Sequence, residues 1–194
     1  MTLIQKFSEI YKTPFAVQKF LRQMPYNREH RGETIYSAET ALRKKTCHCL
    51  EAVFIAAALL ENHNYEPLIL TLESDDHLDH VVYLFQQNKK WGAIARSRDP
   101  GLHGRAPAFA TIEALVRSYV EPYVDKTGRI RRYQVFHLDE TLCDWRNSPH
   151  HLWNLETYLN RQKCIPLKTS DSHYKNTHKK YLQYGPLLKG PHWW

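Results

Sequence analysis

Cys49 heads an alanine-rich run, Cys49 to Leu60, that contains neither glycine nor proline, and His80 opens a run rich in β-branched and aromatic residues. Ser97 and Asp99 follow at the end of the next apolar run. A thiol, an imidazole and a polar group to orient the imidazole are the parts of nucleophilic acyl chemistry. A cysteine in the first turn of a helix meets free backbone N–H groups and the positive end of the helix dipole, which favour the thiolate. The plain alternative is a small buried hydrophobe, the usual role of a lone cysteine. Cys47 and His77 rival Cys49 and His80. Cys47 precedes the helix and lies off its apolar stripe, and His77 sits among carboxylates in a polar loop, as a solvated surface histidine would.

The elements that must position these groups follow from pattern. Helical steps place Cys49, Val53, Ala56, Ala57 and Leu60 on one face, with Asn62 to Asn64 as the stop. Tyr65 to Leu72 reads as a buried strand, and His80 to Phe85 and Trp91 to Ser97 as two more, turning at Asn88 and Lys89. That turn sets Phe85 opposite Gly92 and His80 opposite Ser97, with Asp99 two residues on along the same face. Ile130 to Leu138 reads as a further strand. The expected fold class is α+β, a mostly antiparallel sheet packed on the cysteine helix, with covering helices at 2–24, 37–42, 111–124 and 148–162. Gly101, Gly104 and Pro107 mark a loop expected to rim the cleft.

This order of cysteine, histidine and polar residue resembles the transglutaminase-like division of the papain-like thiol enzymes, over roughly residues 40 to 107. The phrases Cys-His-Cys-Leu-Glu-Ala, Asp-His-Val, Trp-Gly-Ala-Ile-Ala and Gly-Leu-x-x-Arg-x-Pro are similar to an uncharacterised bacterial branch of that superfamily. The resemblance implies that Cys49 attacks an amide or acyl carbonyl, that His80 is its base, and that an aspartate orients the imidazole. The substrate would be a peptide, a protein or a small amide. The superfamily's third strand reads Trp, three residues, then Asp-Pro, whereas Ala95 stands at that spacing after Trp91. Asp99-Pro100 displaced along the chain, or Ser97, would fill the role.

At 194 residues the chain reads as one domain over 1–163 and a tail over 164–194. The tail is basic and aromatic, with Lys175, Lys179, Lys180, Tyr174, Tyr181, Trp193 and Trp194, a composition suited to an anionic partner or to folding back on the domain. A non-catalytic binding protein using that tail is the competing function. The net charge of +7 permits an anionic partner without requiring one. No apolar run approaches a membrane span and residues 1–21 lack signal-peptide character, so the cytoplasm is the expected location and no membrane partner is called for. No cofactor motif is present. Cys47, His48, Cys49, His77 and His80 make a zinc-like inventory, but Cys-x-Cys without a second pair is poor zinc spacing.

Overall fold

The computed structural model describes residues 1–30, 32–76, 79–159 and 161–194. His77 therefore lies outside the described residues. Helix α1 (Leu3–Ile10) is closed by a capping box between Thr2 and Gln5, and α2 (Pro14–Gln23) opens on a proline behind the Thr13 cap, where a missing N–H costs nothing. Helix α3 (Ala38–Lys44) is capped by Ser37 and ends at Lys45 in the left-handed conformation. Then comes α4 (Cys49–Leu60), which is apolar all round and whose residues Leu50 to Leu60 are all buried. A helix of that kind belongs in the centre of a domain, and α1, α2 and α3 all pack on it.

The sheet contains β1 (Leu68–Ser74), β2 (His80–Gln87), β3 (Lys90–Ile94), β4 (Arg105–Phe109), β5 (Ile130–His137) and β6 (Ile165–Pro166). Its order is β4-β3-β2-β1-β5-β6, with every neighbouring pair antiparallel. The fold is thus α+β, as the sequence pattern indicated. Asn88 and Lys89 both take positive φ (51° and 59°), the geometry of a two-residue hairpin turn, and Phe85 pairs with Gly92. Gly92 is required there, because a Cβ would lie 2.4 Å from the Phe85 ring. Alternation splits the sheet between two cores. Ile69, Val81, Tyr83, Phe85 and Phe136 pack toward α4, while Leu70, Leu72, Val82, Leu84 and Tyr133 pack toward α5 (Ile112–Arg117) and Tyr119.

Two expectations are corrected. The β2–β3 ladder stops at Tyr83–Ile94, so Ser97 lies beyond the strand and, among the described residues, His80 has no ladder partner on that side. Residues 105–109, read as loop, form β4, because the sheet edge accepts Pro107, which has no N–H to donate. The tail is ordered: after α6 (Trp153–Leu159) and β6, it forms α7 (Asp171–Tyr184), and the chain then crosses the β4 edge, where Trp193 bridges Arg105 and the Ala106 amide donates to the His192 carbonyl at 2.8 Å.

Candidate active site

His48 is the cap of α4. The Leu50 amide donates to its Nδ1 (3.2 Å), and its own amide donates to Glu51 Oε2 (3.0 Å), a capping box with an imidazole in the usual place of a hydroxyl. Glu51 is wholly buried and also accepts from the Tyr36 amide, from Thr34 and from Asn27, so the first turn of α4 is fixed from several directions. His48 Nε2 donates to the Thr34 carbonyl at 2.8 Å.

Cys49, first residue of α4, is half-buried, and the His48 and His80 imidazoles are the groups that act on its thiol. Burial pushes the thiol up, but the polarity and positive charge of the His48 and His80 imidazoles outweigh it and bring Cys49 down to about 5. For His48 burial pulls downward, and the bond to Cys49, the charges of Cys49 and Glu51 and the Thr34 carbonyl raise it to about 9. Between those values the pair is a thiolate and an imidazolium. A protonated Nδ1 cannot also accept from the Leu50 amide, so charging His48 exchanges the cap bond for a charge-assisted bond to sulfur. Tyr26 lies beside the pair, and burial, then the negative charge of Cys49, push its hydroxyl far above its ordinary value.

His80 starts β2. Strand alternation sends its side chain with Val82 and Leu84, away from α4, and its ring meets Tyr119 edge-on at 6.0 Å. It still reaches Cys49, which stands at the end of α4 beside the stretch of β2 that β3 has left. Its Nε2 donates to the Leu102 carbonyl at 2.9 Å, which leaves Nδ1 to the thiol.

Leu102 thus occupies the orienting position that the sequence reading gave to Ser97 or Asp99. Ser97 Oγ accepts from the Asp99 amide (3.2 Å), and the Ser97 carbonyl accepts from Arg96 (2.7 Å). Among the described residues neither side chain bonds to His80, although both line the same cleft. The loop that carries the Leu102 carbonyl is braced by Arg105, which is wholly buried and donates to the carbonyls of Gly101 (2.9 Å), His103 (2.8 Å) and Gly104 (3.2 Å) on either side of it. His103, beside Arg96, is kept neutral by burial, which lowers it to about 4.

The cleft above these groups has a volume of about 610 Å³ and is lined by His48, Cys49, His80, Ser97, Asp99 and Leu102. Cys47 is wholly buried, and burial, then the charge of Glu51, push its thiol far up, so it is an inert packing residue. Sequence reasoning passed over His48 as a partner of the thiol. Its signal was the spacing His48-x-x-Glu51, a capping box read with histidine as the cap. Among the described residues no group of three or more histidine, cysteine or carboxylate side chains is placed to hold a metal ion, and no helix is long and apolar enough to cross a membrane. Neither a scan of family models nor a search of curated proteins returned a match to the chain.

Proposed function

We propose that the chain is a thiol-dependent acyl-transfer enzyme, hydrolysing or transferring an amide, with Cys49 as nucleophile and His80 as proton carrier. The observation that carries the reading is the Cys49 thiol, at a helix start, sharing an open cleft with His80, which helps to lower the thiol's pKa. The Cys49 thiolate attacks the carbonyl carbon, a C–S bond forms, and the C=O electron pair moves onto oxygen. The Cys49 amide, in the first turn of α4 and without a partner within the helix, serves that oxyanion. The oxyanion then collapses, the C–N bond breaks, and His80, which took the thiol's proton on Nδ1 when the thiolate formed, gives it to the departing amine. Water or a second amine, giving its proton back to His80, releases the acyl group from sulfur.

In this scheme His48 and His80 divide the work. His48, backed by buried Glu51, stabilises the resting thiolate, whereas His80, held only by the neutral Leu102 carbonyl, is the less constrained imidazole and the one that shuttles protons. The similarity to the transglutaminase-like division is part of this proposal and supports the same roles for Cys49 and His80. The competing reading, a binding protein using its tail, loses support because the tail's aromatics are engaged internally. Trp193 lies under the Arg22 guanidinium (3.8 Å), Trp194 stacks on Phe85 (5.7 Å), and Tyr174 lies under Arg129 (4.5 Å).

The test uses p-nitrophenyl acetate and a panel of aminoacyl coumarin amides, with hydroxylamine as an alternative acceptor. Cys49→Ala should abolish turnover. His80→Ala should lower it by about 10²-fold or more with the fold intact by circular dichroism. Equal turnover in wild type and His80→Ala, on any substrate that requires Cys49, would remove His80 from the mechanism.

A further inference from the structure

We infer that the sheet floor of the cleft is a recognition subsite for a cationic side chain bearing N–H donors, so that the substrate is a basic peptide; the inference takes its link to catalysis from the acyl-transfer reading but stands on different residues.

Thr71 on β1 and Gln134 on β5 are cross-strand partners, and both belong to the sheet face that carries Ile69 and Phe136 toward α4. Both line the cleft that holds Cys49. They are 3% and 4% exposed, yet Thr71 Oγ1 and Gln134 Oε1 have no hydrogen-bond partner among the described residues. Buried polar atoms are normally paired, because leaving them unpaired forfeits the bonds that water would make. Two such atoms side by side on one wall of an open cleft mark a place where a ligand group completes the bonding.

The kind of group follows from what is already engaged. Gln134 Nε2 donates to Glu73 Oε1 (3.4 Å) and to the Leu159 carbonyl (3.3 Å), so the amide is locked with its oxygen, an acceptor, facing the cleft. Thr71 Oγ1 accepts or donates as required. Glu73, two residues along β1 on the same face, adds a carboxylate that is held by Arg132 at 3.0 Å and Cys164 at 2.7 Å. A carboxylate ligand could take a bond from Thr71 alone and would face the Gln134 oxygen and the Glu73 charge, and an apolar one would leave both orphans unpaired. An ammonium or guanidinium group satisfies all three.

The charge of the whole cleft points the same way. Among the described residues its lining includes Glu29, Glu33, Glu73, Asp79, Asp99 and Asp125 against two guanidinium groups, Arg28 and Arg98, and the His48 imidazolium, in a chain whose net charge is +7. The cleft is therefore an acidic recess in a basic protein, and it concentrates cations that the rest of the surface repels.

Equilibrium binding to the Cys49→Ala protein tests the subsite without any chemistry at sulfur. Calorimetry compares the methylamides of Nα-acetyl-lysine, Nα-acetyl-arginine, Nα-acetyl-norleucine and Nα-acetyl-glutamate. The lysine or arginine probe should bind at least about tenfold tighter than norleucine, since a buried acceptor left unpaired discriminates strongly against an analogue that lacks the donor. The isosteric Thr71→Val, and separately Gln134→Met, should shrink that ratio. Equal affinities for the cationic and norleucine probes overturn the inference, as do a preference for glutamate, no binding by either cationic probe, or a preference that neither substitution changes. The acyl-transfer reading fails differently. If Cys49 in the wild type proves unreactive while the cationic preference persists, the subsite stands and the catalytic assignment falls.

Discussion

Alkylation of Cys49 by iodoacetamide as a function of pH is the sharpest measure of the thiolate, and the structure dictates where to look. The thiol is lowered from its ordinary 9.0 to about 5. The thiolate fraction is then about one half at pH 5, against about 10⁻⁴ for an ordinary thiol. A less basic thiolate is also a weaker nucleophile, and with a Brønsted slope near 0.45 the four-decade difference in acidity reduces its intrinsic rate about 60-fold. The two effects combine to an advantage of about 80-fold at pH 5, about 15-fold at pH 6 and only about twofold at pH 7. A single measurement at neutral pH therefore hardly separates an activated cysteine from an ordinary one, whereas the profile does. Cys49 labelling, followed by mass spectrometry of its peptide with glutathione as reference, should be nearly flat above pH 6. Cys47, buried, and Cys164, raised to about 11 by burial and Glu73, should stay largely unlabelled in the native protein. A Cys49 rate that climbs about tenfold per pH unit through pH 8, parallel to glutathione, would refute the thiolate and the role of the two imidazoles in holding it.

The same ion pair has a stability signature. The contribution of Cys49, whose folded value is depressed, is lost as pH falls through 5, and that of His48, whose folded value is raised from 6.5 to about 9, is full below 6.5 and lost as pH rises through 9. Between 6.5 and 9 the two slopes cancel. Urea unfolding should therefore show stability rising by about 2 kcal/mol from pH 5 to 6.5 and then levelling, a rise absent from Cys49→Ser. Arg105, first residue of β4, is a positioning residue that braces the loop behind His80. Arg105→Met strands the carbonyls of Gly101, His103 and Gly104 and should cost about 3 kcal/mol or more in the same assay, while the low-pH labelling advantage of Cys49 falls as His80 loses its fixed carbonyl. Full stability with an unchanged labelling profile would show that the loop holds itself.

The parts of this fold that were legible in the sequence are those specified locally. The α4 run, the β1 to β3 patterns and the Asn88-Lys89 turn carry their own periodicity, and the Phe85–Gly92 register followed from the turn alone. β4 was hidden, because Gly104 and Pro107 read as loop residues and only the neighbouring strand and residues 192–193 give it partners. α7 was hidden for the opposite reason. It has no buried residue, so no apolar stripe marks it. Cys49 and His80 were readable as chemistry-bearing types in order, but the group that orients His80 is a backbone carbonyl, which every residue possesses and no sequence advertises. The search for a third side chain turned to Ser97 and Asp99 because side chains are what a sequence displays.

The crossing of the β4 edge by residues 192–193 sets an order of events in time. Trp193 donates to the Pro100 carbonyl (3.0 Å) and bridges Arg105, 88 residues earlier in the chain (193 minus 105), and the Leu187 carbonyl lies against Gly101, where a Cβ would come within 2.1 Å of it. The loop that presents Leu102 is thus flanked by chain that a ribosome makes about 5–20 s after the loop itself, at ordinary elongation rates. Through that interval α4 and the β1–β3 meander, all encoded earlier, have the partners they need to assemble, while the carbonyl that steadies His80 does not yet have its final surroundings. The Cys49 thiol is made early and the final surroundings of His80 late, so a nascent chain carries the thiol for seconds before the imidazole has its fixed place.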